Sequence, residues 1–418
     1  MMKKVMRIVL VVALLAVTFI SGCANNKQQG DNSGNKSNGD AKVKIRFASW
    51  SKDHLDKQKK LVNDFNASQD KIEVSLETYG DDYDTKITAG MGSKDAPDVM
   101  YMWNYPAFYN GLEPLDSYID KEESGFKEKY YDALWAYNSI GNSVYGIPVG
   151  FSTHCLYYNK DLFDQAGIKY PTEEWTWDDL KAAAAAITEK CDGAKGFSYK
   201  LKADPYDYEM YLWSNGSGYV DKDGNLNGSI NSNQSVEVLE FFQDMQKEGI
   251  AVATEGEGQD EMSSAKTAMF ISGTWPIDTL KKAGLNFGIV EIPAFATSGQ
   301  DSVSILSSSG VSISKDSSNK EAAWEFVKYW TGEELNKARI EYELPVLNSV
   351  VESEKLLDDE YRAPFYSMLK QSSGYTPTSF VIDHWSVLKD NLELSFERIF
   401  NPSTLEDVKT VLDEVAAK

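Results

Sequence analysis

Histidine and cysteine are scarce: there are three of each in 418 residues, the histidines at 54, 154 and 384 and the cysteines at 23, 155 and 191. So thin a supply argues against a zinc centre or a cysteine-rich redox site, and it excludes a small scaffold stapled by disulfides. Positive charge is also short. Against 64 acidic residues stand 42 basic ones, a formal charge of −22. Such a surface does not attract phosphate backbones, and the one basic grouping is the short Lys57, Lys59, Lys60 set, so nucleic acid is not an expected partner. Walker, GxGxxG, GxSxG and HExxH sequences are all missing. What remains is 42% apolar residues over a length sufficient for two ordinary cores, which excludes a disordered chain.

The first segment is built for export. Lys3, Lys4 and Arg7 precede an apolar run from Ile8 to Ile20. As a helix that run reaches only about 20 Å, short of a hydrocarbon core of about 30 Å. Ile20-Ser21-Gly22-Cys23 resembles the lipobox of bacterial lipoproteins. The resemblance implies a signal peptide over residues 1–22, and a Cys23 that is diacylated, becomes the first mature residue and ties the protein to the lipid membrane. A plain signal peptide beside a coincidental cysteine is the alternative. Two acyl chains anchor a soluble body stably, where one gives marginal attachment. Losing residues 1–22 would take the formal charge to about −25. Ala24 to Asp40 carries no large apolar side chain and reads, with Cys23, as a flexible tether over 23–40; packing starts near Lys42.

From there strand and helix patterns alternate. Val43, Ile45 and Phe47 alternate with Lys44 and Arg46, predicting a strand over 43–49. Leu55, Leu61, Val62 and Phe65 predict a helix over 55–66, and Ile72, Val74 and Leu76 a second strand over 72–77. A third strand is expected at Asp98 to Met102. Strand, helix, strand in about 35 residues is a βαβ unit, so the fold class is α/β with a mostly parallel sheet. Helix caps are expected at Thr176 with Asp179, Ser318 with Glu321 and Ser403 with Glu406, and 235–245 reads as another amphipathic helix. No internal repeat is visible.

Sites with chemistry of their own are few. Asp221, Asp223, Asn225 and Asn227 imitate a calcium loop, but its sixth position is Leu226 and its twelfth Ser232, so a polar turn through Asp223-Gly224 is the better reading and no metal is expected. His154 beside Cys155 resembles a thiolate pair, yet neighbours on a strand point to opposite faces, which leaves Cys155 a small buried hydrophobe. A Cys155–Cys191 bond after export is open to the chain, though spacing alone does not establish it. Paired carboxylates in an aromatic groove could hydrolyse a glycoside, but sequence does not set two of them at a catalytic separation.

Aromatic side chains are the stronger clue. Ten Trp and 23 Tyr are present, many beside Gly or Pro: Trp50, Trp103-Asn104-Tyr105-Pro106, Trp213-Ser214-Asn215-Gly216, Gly273-Thr274-Trp275-Pro276 and Tyr375-Thr376-Pro377. Loops of this kind can present a flat ring while Asn, Asp and Ser supply hydrogen bonds. A sugar, with weakly apolar C–H faces and an edge of hydroxyls, needs both. Each ring taken singly could equally be a core or hinge plug.

At this point the chain resembles a family. Ser49-Trp50, Tyr83-Asp84-Thr85-Lys86-Ile87, Pro97-Asp98-Val99, Gly111 to Asp116, Tyr145-Gly146-Ile147-Pro148, Leu156 to Phe163, Thr176 to Leu180, Gly273-Thr274-Trp275 and Gly310 to Lys315 follow one another as in the family 1 extracellular solute-binding proteins of ABC importers, the carbohydrate binders similar to maltose-binding protein. Each motif alone is ordinary, but their order and spacing match over 42–418. One departure is Ser307-Ser308-Ser309-Gly310, where such proteins often carry a Gly pair. The resemblance implies a periplasmic-binding-protein type II fold, with two α/β lobes around a ligand cleft. The first lobe would comprise 41–149 with 277–342, the second 150–276 with 343–418, and the crossovers Pro148–Gly150, Gly273–Pro276 and Leu344–Val346.

It further implies a monomeric, non-enzymatic capture component that needs no cofactor, takes an oligosaccharide and delivers it to membrane permease subunits. Trp275 is the expected main stacking platform, Trp50 and Trp213 next, with Tyr105, Tyr375 and Trp385 behind. Asp82 and Asn104 are expected to read hydroxyls, with Ser49, Ser152 and Glu209 as weaker candidates. Gly310 either lets the backbone approach the cleft or serves a tight turn. The rivals are a binder of polyamines or another small cationic solute, a secreted carbohydrate-active enzyme, and a surface scaffold with no pocket. Against the polyamine reading, the acidic residues look spread along the chain instead of gathered at the cleft loops. The location is extracytoplasmic and lipid-anchored, and the composition and long tether lean toward the outer face of a Gram-positive cell.

Overall fold

The computed structural model describes residues 42–200, 204–296 and 298–418. The expected leader, Cys23 and the tether therefore lie outside the described residues. The strands are, in order, β1 (Val43–Ser49), β2 (Ile72–Thr78), β3 (Val99–Met102), the short pair β4 (Ser139–Ile140) and β5 (Ser143–Val144), then β6 (Ile147–Ser152) and β7 (Cys155–Asn159). β8 (Phe197–Lys200), β9 (Ala251–Thr254), β10 (Met269–Ser272), β11 (Phe287–Val290) and β12 (Ser307–Ile313) complete the set.

Five strands form one sheet in the order β2-β1-β3-β12-β6. β1 pairs in parallel with β2 and β3, while β12 runs antiparallel to β3 and β6. The alternation read from the sequence is what buries one face: Ile45 and Phe47 are inside, and Arg46 turns outward to Glu77 at 2.7 Å and Asp95 at 3.0 Å. Helix Leu55–Ser68 covers that face with Val62 and Phe65. Helix Lys320–Thr331 adds Phe326 and Trp330, whose rings meet Phe47 edge-on at 5.0 and 4.7 Å.

The second body is built on the antiparallel sheet β10-β7-β11 and the parallel pair β8-β9. Its core centres on Trp177, which is 1% exposed and packs against Phe197, Tyr211, Phe242 and Phe295. Cys155 and Cys191 are both buried free thiols, and Cys191 Sγ donates to the Leu162 carbonyl at 3.5 Å.

The crossings differ from the sequence expectation. β6 carries Pro148-Val149-Gly150 within the first sheet, so the chain leaves only at Thr153–His154. Gly273–Pro276 is not a crossing, because β10 before it and β11 after it both pair with β7. Val303 and Ser304 are still tied to the second body through Ser214 Oγ (2.9 Å) and Ser372 Oγ (2.8 Å), and the return comes at Ser307. Residues 277–306 thus belong with the second body. The reason is long-range: the apolar run Phe287–Val290 completes a ladder on β7, which no local pattern announces. In the third expected crossing, Leu344 bridges antiparallel to Phe151 of β6.

Candidate functional site

β2, β1 and β3 are parallel, and their C-terminal ends open into one place, where ligands collect in α/β sheets. Trp50 follows β1, Gly80, Asp81 and Tyr83 follow β2, and Trp103 follows β3. Together they wall a cleft of about 840 Å³. Gly150, Ser152 and Ser307 to Ser309 form its side on β6 and β12, Tyr342 and Glu343 enter from the third crossing, and Thr274 comes from the second body.

Trp50 sits in a nest of rings. Trp103 lies 4.6 Å away at 88°, Tyr101 4.6 Å at 68° and Tyr83 5.9 Å at 88°. Tyr83 is fixed in turn by donating its hydroxyl to the Tyr101 carbonyl at 2.6 Å. Trp103 is the ring with an open face, 37% exposed, and Trp50 is its partly buried support. Trp103 was visible in the Trp103-Asn104-Tyr105-Pro106 motif and stands one residue beyond a parallel strand; that position is the signal that singles it out.

Of the other expected residues, Ser152 lines the cleft, its hydroxyl accepting from Thr274 N at 3.4 Å and donating to the Thr153 carbonyl at 3.2 Å. Asp82 is exposed at the head of helix Tyr83–Ser93 and outside the lining, where its neighbours Asp81 and Asp84 stand instead. Asn104 is half-buried and also outside it. Tyr105 is corrected outright: it is 0% exposed, and its hydroxyl donates to Asn138 Oδ1 at 2.7 Å. Gly146 and Gly310 exist to make that room, since a Cβ on either would stand 1.9 or 2.3 Å from the Tyr105 hydroxyl. Gly310 lies at a register shift in β12 and outside the cleft lining. Ser49 is 1% exposed, its hydroxyl accepting from Ser51 N at 3.3 Å.

The second body holds the rest in separate places. Trp213 is 7% exposed and packs on Tyr375 at 5.5 Å, whose hydroxyl donates to Gln300 Oε1 at 3.3 Å. Trp385 opens helix Trp385–Phe400, 6.2 Å from Tyr219. None of these three lines the cleft. Glu209 is 2% exposed and is a clasp, not a surface contact. Its carboxylate accepts from Thr378 N at 2.9 Å and from the Thr378 hydroxyl, and burial pushes its pKa up to about 7. Trp275 is 52% exposed and lies outside the lining of this cleft, which its neighbour Thr274 joins.

The cleft is more acidic than the sequence suggests. Asp53, Asp81, Asp84 and Glu343 line it against Lys52, which reaches Asp81 at 3.9 Å. Burial raises Asp84. Glu343 is raised chiefly by burial too, opposed by Arg339, whose Nε lies 2.8 Å from its carboxylate. Arg339 is 1% exposed and donates from Nη1 to the Trp330 carbonyl at 2.8 Å. Beside it His54 stacks flat on Tyr342 at 4.0 Å, and burial, followed by Lys57, lowers its pKa. Nothing in the spacing of Glu343 foretold its place here. Among the described residues, no group of three or more His, Cys, Asp or Glu is placed to hold a metal ion.

Residues 48–337 match the family described as bacterial extracellular solute-binding protein. The chain belongs to that family, one of binding proteins. It is similar to a binding protein of Brucella abortus, 26% identical over 348 residues that span 80% of each chain. It is similar to an arabinooligosaccharide-binding protein of Bacillus subtilis, 25% identical over 80% of this chain and 78% of that one. Among solved structures it is similar to an ABC substrate-binding protein of Listeria monocytogenes in complex with cycloalternan, with 25% identity and a TM-score of 0.77 over 90% of this chain and 97% of that one. The fold is the two-lobed periplasmic-binding-protein type.

Proposed function

We propose that this protein captures an oligosaccharide in the cleft between its lobes and delivers it to the permease subunits of an ABC importer. The observation that carries the reading is the cleft wall itself. An open Trp103 face braced by Trp50 adjoins Asp81, Asp84, Ser152 and the serines of β12, which is a flat apolar surface beside hydroxyl-reading groups. Ser307 and Ser309 are the more open of the β12 serines in the lining, Ser309 donating to the Gly150 carbonyl at 3.3 Å, while the Ser308 hydroxyl is buried and accepts from Asn138 Nδ2 at 2.7 Å. The arabinooligosaccharide-binding relative and the cycloalternan complex lend support. Trp275 supplies the platform on the second lobe. The protein works as a monomer, held by an acylated Cys23 at the outer face of a Gram-positive membrane, with the 23–40 tether giving it reach.

A second reading has an observation of its own. Four carboxylates around an aromatic cleft also suit a polyamine. Calorimetric titration of the mature chain against oligosaccharides and spermidine separates the two. A one-to-one oligosaccharide site, insensitive to salt and weakened about tenfold or more by Trp103→Ala, is the expected result. Spermidine binding that fades with ionic strength, with silence from every sugar, would move the assignment to a cationic solute.

A further inference from the structure

We infer that Glu257 is a positioning residue, which together with Gly273 holds the Trp275 indole in one pose before any ligand arrives. The inference rests on the reading of Trp275 as a ligand platform. An exposed tryptophan on a loop ordinarily samples several rotamers, and ordering it on binding subtracts from affinity. Here both edges of the ring are fixed although it is 52% exposed. Its Nε1–H donates to Glu257 Oε2 at 2.7 Å, and the same oxygen accepts from Ser272 Oγ at 2.5 Å, so the carboxylate is itself held. The six-membered edge folds back over Gly273, where a Cβ would stand 2.0 to 2.6 Å from three ring carbons. Only glycine leaves that space. The Gly273 carbonyl accepts from the buried Tyr157 hydroxyl, which fixes the floor under the ring. His154 closes a further side, edge-on at 5.6 Å and 89°.

The strands explain how these groups meet. β10 delivers Ser272 and Gly273 beside β7, which carries Tyr157. Gly258, at φ +104°, turns the chain directly after Glu257, and a Cβ there would meet Ser198 Oγ at 2.2 Å. The hold on the indole N–H needs an acceptor oxygen at that point more than it needs a negative charge.

Two measurements on the mature chain test this. In the ligand-free protein, the indole proton–nitrogen cross-peak of Trp275 is assigned by its loss in Trp275→Ala. Glu257→Ala should move it to the position of an unbonded indole, Glu257→Gln should move it only partly, and Gly273→Ala should displace it with Glu257 intact. A cross-peak that does not respond to Glu257→Ala overturns the proposal. The second measurement is titration with cycloalternan and arabinooligosaccharides. There Glu257→Ala should weaken binding about tenfold, and Glu257→Gln should restore it to within about threefold. Weakening by Glu257→Ala with an unmoved cross-peak would also overturn it, because the carboxylate would then touch the ligand directly. If Trp275→Ala leaves the affinity unchanged, the platform reading falls, while the cross-peak still decides on the clamp.

Discussion

A buried carboxylate shows most directly how single residues mislead. Glu209 sits in a Tyr- and Trp-rich segment, where it looks like a hydroxyl reader, and instead it ties helix Pro205–Ser214 to Thr378. Its folded pKa of about 7 lies above the ordinary value of 4.5. The stabilisation it contributes is therefore complete below about 4.5 and is lost progressively as pH rises from there through about 7, on the order of 3 kcal/mol. Asp84, Asp207 and Glu343 are raised as well and add drift of the same sign. Glu209→Gln keeps an acceptor for Thr378 and removes the ionisation. Thermal unfolding at pH 5 and pH 8 should find the variant gaining on the parent by about 1–3 kcal/mol between them. A constant difference across that range would mean the carboxylate is ionised throughout. The site was partly legible for the same reason that Glu209 was not. Trp50 and Ser152, which the family resemblance implies, line the cleft, and so does Trp103, the residue before the expected Asn104. Whether a polar residue faces a cleft or a helix depends on a partner 169 positions away, as with Thr378.

Elements were easier to read than sites, because their signals are local. The strands 43–49 and 72–78 and the helix between them follow the apolar period closely. Caps were less uniform. Thr176 and Asp179 form the full reciprocal box, with Thr176 N donating to Asp179 at 2.9 Å and Asp179 N to Thr176 at 3.3 Å. Ser318 caps nothing, since the helix at Lys320 starts from Asn319 without a side-chain bond. The terminal helix starts from Asp407, whose carboxylate accepts from Thr410 N at 2.8 Å, and Glu406 is drawn off to Arg398 at 2.7 Å. The same sequence pattern thus has different outcomes, and at the terminal helix the acid is engaged by Arg398 instead. Thr176→Ala should cost about 1 kcal/mol in denaturant unfolding with an unchanged slope, and Ser318→Ala and Ser403→Ala only a few tenths. Equal losses at all three positions would mean that the bonded geometry at Thr176 contributes nothing. The helix at 177–190 lies on the Trp177 core, so packing also constrains this end, and the loss belongs at the lower side of the usual range for caps.

At the scale of the molecule, the three crossings put the lobes' relative position in the hands of few residues. Gly150 is one: a Cβ there would stand 3.3 Å from Cβ, Cγ and Cδ of Glu343, so β6 and the Glu343 segment pack closely with little room to spare. Glu343 lines the cleft and pairs with the buried Arg339, whose Nε lies 2.8 Å from its carboxylate. A ligand that touches both lobes binds the closed arrangement better than the open one, and its differential affinity is the whole of the energy available for closure. Two consequences can be measured on one sample. With ligand at 100 times its dissociation constant, folding should be stabilised by about 2.7 kcal/mol, seen as a rise in thermal midpoint that tracks concentration. Small-angle scattering should show the radius of gyration falling over the same titration. Stabilisation with unchanged scattering would mean that the ligand binds a first-lobe wall already complete, with Trp103 and Trp50 sufficient and the second lobe a bystander. In that case Trp275→Ala would cost little affinity, because its platform would never meet the ligand.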